Sequence, residues 1–399
     1  MLKRTLQRLH ALRNYQKLPA IAKSEHNRDR KGLPAEDPGI DAVIEEGVAW
    51  LARAQDNSLL GDGGVARYYS LLSGWSSSYP ETTGYIIPTL VEYSKRTGDT
   101  AIFQRAKRML DWLLSIQLPG GGFQGGLIDS QPVVPVTFNT GSILLGLACG
   151  ARELGGEYHR AMCAAADWLV NTQDEDGCWR KHPSPFAKPG EKAYDAHVAW
   201  GLFEAARLEP GRGYGAAGLA SVRWALGLQL ENGWFQQCCL SDVNRPTTHT
   251  IGCALRGVLE AYGYSHNSEF LDLGRKTADG LLSAVDLENG FLAGRVDSEW
   301  NGVVPWVCCT GTVQIAHCFL MLYQEIGDNK YRDAGFALNR FVRRTVKTAG
   351  EEEMRGAVKG SFPIYGEYGP YRFINPKFSI DSNLLEQKIR NGRPPENPC

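Results

Sequence analysis

The chain has 399 residues, of which 43% are hydrophobic and 10% aromatic, enough to bury a large core. Its 43 basic and 44 acidic residues nearly cancel, so no global field favours nucleic acid, and we expect no nucleic-acid partner. The sequence also lacks the run of about eighteen apolar residues that a membrane-spanning helix needs.

The N-terminus and the cysteines indicate a cytoplasmic protein. Residues 1–18 interleave leucines with Lys and Arg, so they form no apolar signal core and instead predict a basic amphipathic helix. Several of the ten cysteines lie in apolar helical stretches, as buried thiols of a reducing compartment do. A polar stretch then predicts a linker, so we assign residues 1–40 to this arm and 41–399 to one folded domain. The arm either packs on that domain or makes a peripheral contact with the inner membrane face or a partner protein.

A repeat dominates the rest of the chain. The segments beginning at Trp112, Trp168 and Trp224 share the pattern Trp-x4-Gln-x4-Gly-Phe/Trp with small variations, and the three tryptophans are 56 residues apart. Gly280 continues the spacing without Trp or Gln, and Trp50 begins an earlier copy. A fixed period of this length predicts one supersecondary unit stacked several times.

Each repeat ends an amphipathic helix, and a nearly all-apolar helix follows it. Six helices of each kind alternate, and a helix that is apolar on nearly all sides is buried on nearly all sides. The sequence therefore predicts an all-α fold, an (α/α)6 toroid with six outer and six inner helices closed on themselves.

The repeat resembles the Gln-Trp repeat of terpenoid cyclase and protein prenyltransferase toroids, and the alternation of helices is similar to that of the six-hairpin glycosidases. The first resemblance implies diphosphate or alkene chemistry, but the chain has no Asp-x-Asp-Asp and no Asp-Asp-x-x-Asp motif. Asp176-Gly177-Cys178 matches the letters of a prenyltransferase zinc motif, at an outer-helix turn instead of an inner-helix start. The second resemblance implies action on polysaccharides.

Polar clusters begin the six predicted inner helices, where the N-termini of a toroid converge on one mouth. Helix capping is an alternative explanation for Thr83, Asn139, Thr140 and Thr310. It explains ionisable groups that lead into apolar helices less well, because such groups are costly to bury and are enriched where pKa tuning is needed. We predict four catalytic residues: Glu81, Asp195, His249 and Tyr194.

Two loops before the first and last inner helices, and a third before the fifth, offer aromatic rings beside Arg and carboxylates, which suits sugar binding. The predicted substrate-binding residues are Arg67, Trp75, Tyr79, Asn139, His197, Arg295, Asp297, Trp306, Gln314, Tyr365, Glu367 and Lys377. We expect no metal and no cofactor. The alternative is zinc held by Cys253, Cys308 and Cys309.

The leading functional hypothesis is a carbohydrate-active enzyme, a hydrolase or a lyase or epimerase, that cleaves or modifies a uronate-containing oligo- or polysaccharide in its biosynthesis or processing. Hydrolysis would use Glu81 and Asp195 as the two carboxyls, whereas elimination or epimerisation would use His249 or Tyr194 as the base. Two alternatives remain open: a terpenoid cyclase or prenyltransferase-like enzyme without the usual Asp-rich motifs, and a non-catalytic binding or scaffold protein.

Overall fold

The computed structural model describes residues 15–185 and 187–392. Most of the predicted basic N-terminal helix therefore lies outside the described residues. A short helix, α1 (Ala20–Asp29), precedes twelve helices that alternate between two concentric layers.

The outer layer contains α2 (Ile40–Asp56), α4 (Thr100–Ile116), α6 (Gly156–Thr172), α8 (Tyr214–Leu226), α10 (Ser268–Ser283) and α12 (Asn329–Arg343). The inner layer contains α3 (Pro80–Thr97), α5 (Thr137–Leu154), α7 (Val198–Leu208), α9 (Thr248–Ser265), α11 (Cys309–Ile326) and α13 (Lys377–Arg390). A 3-10 turn, Ala193–His197, leads directly into α7. Each outer helix is followed along the chain by an inner helix, as the repeat predicts.

The inner layer closes into a ring. Each inner helix packs on the next, and the last, α13, returns to the first, α3. The Thr89 hydroxyl of α3 donates to Asp381 Oδ1 of α13 at 2.7 Å, and Lys388 of α13 pairs with Glu92 of α3 at 2.9 Å. The predicted all-α (α/α)6 toroid is confirmed.

The repeated Trp and Gln fasten the turns that follow the outer helices. Gln117 Nε2 donates to the Gly121 carbonyl of its own turn at 2.9 Å and to the Ala161 carbonyl of α6 at 3.0 Å. The indole of Trp168, also in α6, packs on Gly122 of the same turn. Gln173 repeats the double contact with Gly177 and Ala217. Each turn is thus bound to the next outer helix by one polar and one apolar contact.

In the copy that lacks Trp, a tryptophan from another part of the chain fills the same place. A Cβ on Gly280 would lie 2.1 Å from the indole of Trp300, so this indole occupies the space that a tryptophan at position 280 would need. Trp300 Nε1 donates to the Asn232 carbonyl at 3.1 Å, and its ring meets Trp234 edge to face at 5.3 Å. The packing position is conserved within the toroid although the residue comes from a loop.

Small sheets join the loops at one end of the toroid. Strands β1 (Tyr68–Ser70), β2 (Gly74–Trp75), β4 (Val358–Lys359) and β6 (Arg372–Ile374) form an antiparallel sheet in the order β2-β1-β6-β4. Strands β3 (Val307–Cys308) and β5 (Ser361–Phe362) form a second pair. The register of β1 and β6 places Tyr69 opposite Phe373. The loop before the first inner helix is therefore tied to the loop before the last.

The polar stretch that sequence reasoning treated as a linker begins inside α1, which is bound to the toroid. Lys359 Nζ lies 2.5 Å from Asp29 Oδ1 and 3.3 Å from Glu25 Oε2, and Lys347 pairs with Glu25 at 2.5 Å. Glu25, Asp29 and Lys359 are almost fully buried. The linker prediction is wrong for this stretch because its charges have buried partners far along the chain.

In the described part of the chain, no helix is long and apolar enough to cross a membrane. The nine cysteines described there are all free and buried, as predicted for thiols inside apolar helices.

The close approach of the turn glycines gives a stability test. Gly121 (φ +96°) and Gly98 (φ +75°) both need a left-handed backbone, but a Cβ on Gly121 would lie 2.2 Å from the Ala164 carbonyl oxygen, whereas one on Gly98 would meet nothing within 4 Å. Gly98→Ala should lower the free energy of unfolding by about 1 kcal/mol through backbone strain alone. Gly121→Ala should cost about 3 kcal/mol or more, because the clash adds to the strain. Urea denaturation of both variants checks this, and equal losses would contradict it.

Candidate active site

The starts of the inner helices are linked to one another around one end of the ring, which we call the mouth. Asn139 Nδ2 at the start of α5 donates to the Tyr79 hydroxyl before α3 at 3.4 Å. His249 at the start of α9 contacts Gln314 of α11 at 2.7 Å. Asn375 Nδ2, before α13, donates to the Tyr85 hydroxyl of α3 at 3.2 Å. Polar residues of neighbouring hairpins are therefore in contact at this end of the ring.

On one side of the mouth, Glu81 is held by aromatic and cationic neighbours. The Tyr79 hydroxyl donates to Glu81 Oε2 at 2.7 Å, and the guanidinium of Arg67 lies over the Tyr79 ring, 4.5 Å from its centroid. Glu81 is only partly exposed to solvent. Burial raises the pKa of Glu81, and the Tyr79 hydrogen bond and Arg67 only partly oppose that rise.

Beside this group, His249 is fixed as a neutral imidazole. Burial lowers the pKa of His249 to about 4; the Gln314 hydrogen bond opposes the shift, and the charge of Arg67 adds to it. Gln314 Nε2 lies 3.8 Å from Cys253 Sγ, which orients Oε1 of the amide towards His249 Nδ1. With Nδ1 as the donor, Nε2 is left as the basic nitrogen. The ring of Tyr368, from the loop after β5, lies 5.6 Å from the imidazole.

Asp195 lies in the 3-10 turn with Tyr194. Burial raises the pKa of Asp195 to about 7, and Lys192 is the nearby cation that limits the rise. The Tyr194 ring meets Phe138 of α5 edge to face at 5.5 Å, which connects this turn with the neighbouring hairpin. A carboxyl that keeps its proton near neutral pH is suited to act as a general acid.

Deeper in the ring lies a second layer that the sequence reasoning identified only in part. His197 stacks on Phe138 at 5.7 Å, and burial together with Arg256 and Lys377 lowers the pKa of His197 to about 3. Lys377 Nζ pairs with Asp381 at 2.7 Å and lies 5.1 Å from the Trp200 ring, and the Arg256 guanidinium lies 3.8 Å from the same ring.

Trp200, Arg256 and His317 were missed, although a signal for them exists. Trp200 and His317 each follow a predicted site residue, His197 or Gln314, by three positions, and Arg256 follows His249 by seven. These spacings place them on the same helix face one or two turns deeper. The sequence interpretation placed functional residues only in the first turn of each inner helix, so these deeper positions were not predicted.

The predicted rim residues have varied positions. Arg295 pairs with the exposed Glu367 at 3.6 Å, and Tyr365 stacks on His26 of α1 at 4.2 Å. Asp297 accepts hydrogen bonds from the backbone of its own turn. Two of the predicted rings pack inside the protein. Trp75 contacts the rings of Trp50 and Tyr69. Trp306 is only 5% exposed and packs against Gly294 and Gly366.

The cysteines proposed as alternative zinc ligands lie around the same end. Cys308 ends β3, Cys309 begins α11, and both are fully buried. Cys253 contacts Gln314, as noted above. Burial raises the pKa of Cys308 to about 12, so the thiol form is favoured there.

Several solved structures share this fold. An unsaturated glucuronyl hydrolase specific for heparin is 14% identical, aligns over 88% of this chain and 99% of its own, and gives a TM-score of 0.69. The unsaturated glucuronyl hydrolase of Bacillus sp. GL1 is 13% identical over 89% of this chain and 97% of its own (TM-score 0.66). A sugar epimerase from a ruminal bacterium is 13% identical over 88% and 98% (TM-score 0.69).

No protein-family model and no curated protein matches the chain in sequence. The structural likeness agrees with the fold described above: the chain is an α/α toroid, as these solved structures are.

The raised pKa of Asp195 predicts a pH-dependent stability. Its ordinary pKa of 3.8 applies to the unfolded chain and about 7 to the folded one, so folding favours the protonated carboxyl. That contribution is complete below pH 4 and is lost as the pH rises to 7. Asp195→Asn should therefore raise the free energy of unfolding at pH 8 by about 2 kcal/mol, a value reduced for partial solvent access, and change it little at pH 4. Urea denaturation at both pH values measures this, with the exposed Asp333→Asn as control.

Proposed function

We propose that this chain is a carbohydrate-active enzyme that cleaves or modifies a uronate-containing oligosaccharide or polysaccharide at the mouth. The observation that carries the proposal is the protonatable carboxyl of Asp195, placed in a ring of inner-helix starts that also holds Glu81, His249 and the cation Arg67. Structural neighbours that hydrolyse unsaturated glucuronyl groups or epimerise sugars support this choice.

The lining of the mouth supports a polar, anionic substrate. Arg67 is held on the Tyr79 ring beside Glu81, and it offers a charged donor to a carboxylate of the ligand. Tyr368, whose ring lies 5.6 Å from His249, provides aromatic surface close to these polar groups. A terpenoid cyclase would need an apolar cavity through its depth, whereas the ring here carries Lys377, Asp381 and Arg256 below the mouth.

In the hydrolytic version of the proposal, the two carboxyls divide the work. Asp195 keeps a proton near pH 7 and donates it to the glycosidic oxygen, which leaves as a hydroxyl group while water adds to the anomeric carbon. Glu81, oriented by the Tyr79 hydroxyl, acts as the base that activates water or as the nucleophile. Arg67 and the aromatic rings hold the uronate in place. Nine buried free thiols in the described chain also suit a reducing, cytoplasmic setting, in which processing of imported or nascent glycans is the proposed context.

This proposal is tested by incubating the full chain with saturated and unsaturated uronate oligosaccharides and measuring the products by mass spectrometry. We expect turnover of at least one, with kcat reduced about 100-fold or more in Asp195→Asn and in Glu81→Gln. The wild-type rate should fall as the pH rises above 7, because Asp195 then loses its proton. Asp333→Asn, an exposed change on α12, should behave as wild type. Unchanged rates in both site variants would refute the assignment.

Epimerisation is the second candidate, and the state of His249 favours it. With its pKa lowered to about 4, this imidazole is a neutral base at pH 7, and Gln314 fixes its orientation. Such a base removes a proton from carbon next to a carbonyl or carboxylate, and the neighbouring Arg67 stabilises the negative charge that develops.

Deuterium exchange separates the two reactions. In D2O, an epimerase should incorporate deuterium into the sugar without breaking a glycosidic bond, and His249→Ala should abolish the incorporation. His266→Asn, at the other end of the same helix α9, is the matched control and should leave it unchanged. Cleavage of the glycosidic bond without incorporation of deuterium at a carbon of the sugar would exclude epimerisation.

A further inference from the structure

Three donor atoms of different chemical types meet at the end of the toroid opposite the mouth. His159 and Cys163 lie one turn apart on one face of outer helix α6, and Glu209 follows the last residue of inner helix α7. Their ligand atoms all lie within 4.8 Å of one another, the only such group among the described residues. Inner helices start at the mouth, so the end of α7 and the start of α6 lie far from the candidate active site.

The internal repeat shows that this trio is not required by the toroid. In the preceding unit, 56 residues earlier, Phe103 and Lys107 stand where His159 and Cys163 stand. In the following unit the same two positions hold Gly215 and Leu219. The carboxylate recurs as Glu153, where it pairs with Lys95 at 2.6 Å. Only the unit around α6 combines imidazole, thiol and carboxylate at these positions.

We propose that His159, Cys163 and Glu209 form a binding site for Zn2+ or a similar divalent transition metal. A thiolate, an imidazole and a carboxylate match the ligands that Zn2+ prefers, whereas Mg2+ and Ca2+ prefer oxygen alone. In a tetrahedral zinc site such donors lie about 3.3–3.6 Å apart, so the longest separation here needs to shorten by about 1 Å.

The surroundings allow this adjustment. His159 Nε2 and Glu209 Oε1 are already 2.8 Å apart, with side chains 39% and 30% exposed, so both can shift and solvent can supply a fourth ligand. Cys163 is buried although it lies on the outer helix α6, and Asp167, one turn further along α6, accepts a hydrogen bond from the Tyr214 hydroxyl at 2.8 Å. A bound ion would clip the outer helix α6 to the turn between α7 and α8. This inference does not depend on the proposed function.

The test uses the full chain, stripped of metal and titrated with Co2+ as a spectroscopic probe for Zn2+. We expect a single tetrahedral cobalt site with a thiolate-to-metal charge-transfer band, displaced by Zn2+. Cys163→Ser should remove the band, and His159→Gln and Glu209→Gln should weaken Co2+ binding at least tenfold. Cys149→Ser, a buried thiol of α5 placed between apolar helices, is the matched control and should keep the band.

The outcomes decide the proposal in each case. His159→Gln changes a partly exposed side chain and retains a hydrogen-bond donor for Glu209, so loss of folding is not expected, and circular dichroism checks it. A wild-type chain without the charge-transfer band, or a band that survives in Cys163→Ser, would overturn the site. A band lost only in Cys308→Ser would move the metal to the cysteines near the mouth and would equally refute this assignment.

Discussion

The architecture depends on how closely the inner helices approach one another. A Cβ on Gly84 would lie 2.5 Å from Ile143 Cα, one on Gly201 would lie 2.3 Å from the Gly141 carbonyl, and one on Gly311 would lie 2.4 Å from the His249 backbone nitrogen. At these crossings, only the absence of a side chain lets two backbones touch. Close packing at successive contacts keeps the ring narrow and draws the helix starts into one mouth. The position of His249 is therefore set partly by a glycine of the next helix.

Burial of the groups at the mouth explains the direction of the pKa shifts. Burial raises the pKa of Asp195 to about 7 and lowers that of His249 to about 4, so the acid and the base are both pushed towards their neutral forms. Arg67 keeps its charge and further disfavours protonation of the imidazole. The result is a proton donor and a proton acceptor available together near pH 7. The hydrolytic proposal uses Asp195 with Glu81, the epimerisation proposal uses His249, and Arg67 serves both.

The sequence predicted the fold well because the repeat encodes contacts between neighbouring units. Gln117 and Trp168 bind the same turn from two consecutive units, so their spacing reports a three-dimensional contact directly. Contacts between distant segments leave no such periodic trace. Trp300 replaces the missing tryptophan of position 280 from a loop, and Lys359 neutralises Asp29 from the other end of the chain. Similarly, the sequence could identify His249 as ionisable and close to the mouth, but not that Gln314, 65 residues further along the chain, would bind it.

Repeated and non-repeated residues are distributed differently at the two ends of the toroid. Residues that recur from unit to unit, such as the glutamine that binds the next outer helix, serve the scaffold. Residues that depart from the pattern are not required for the packing that the units have in common. At the mouth these departures are numerous and lie on successive inner helices, which is how a ring builds a site for a large ligand. At the opposite end, one such departure lies on α6 and the turn after α7, where His159 and Glu209 lie close to Cys163. A site contributed by a single pair of hairpins can hold an ion and can stiffen one junction of the ring.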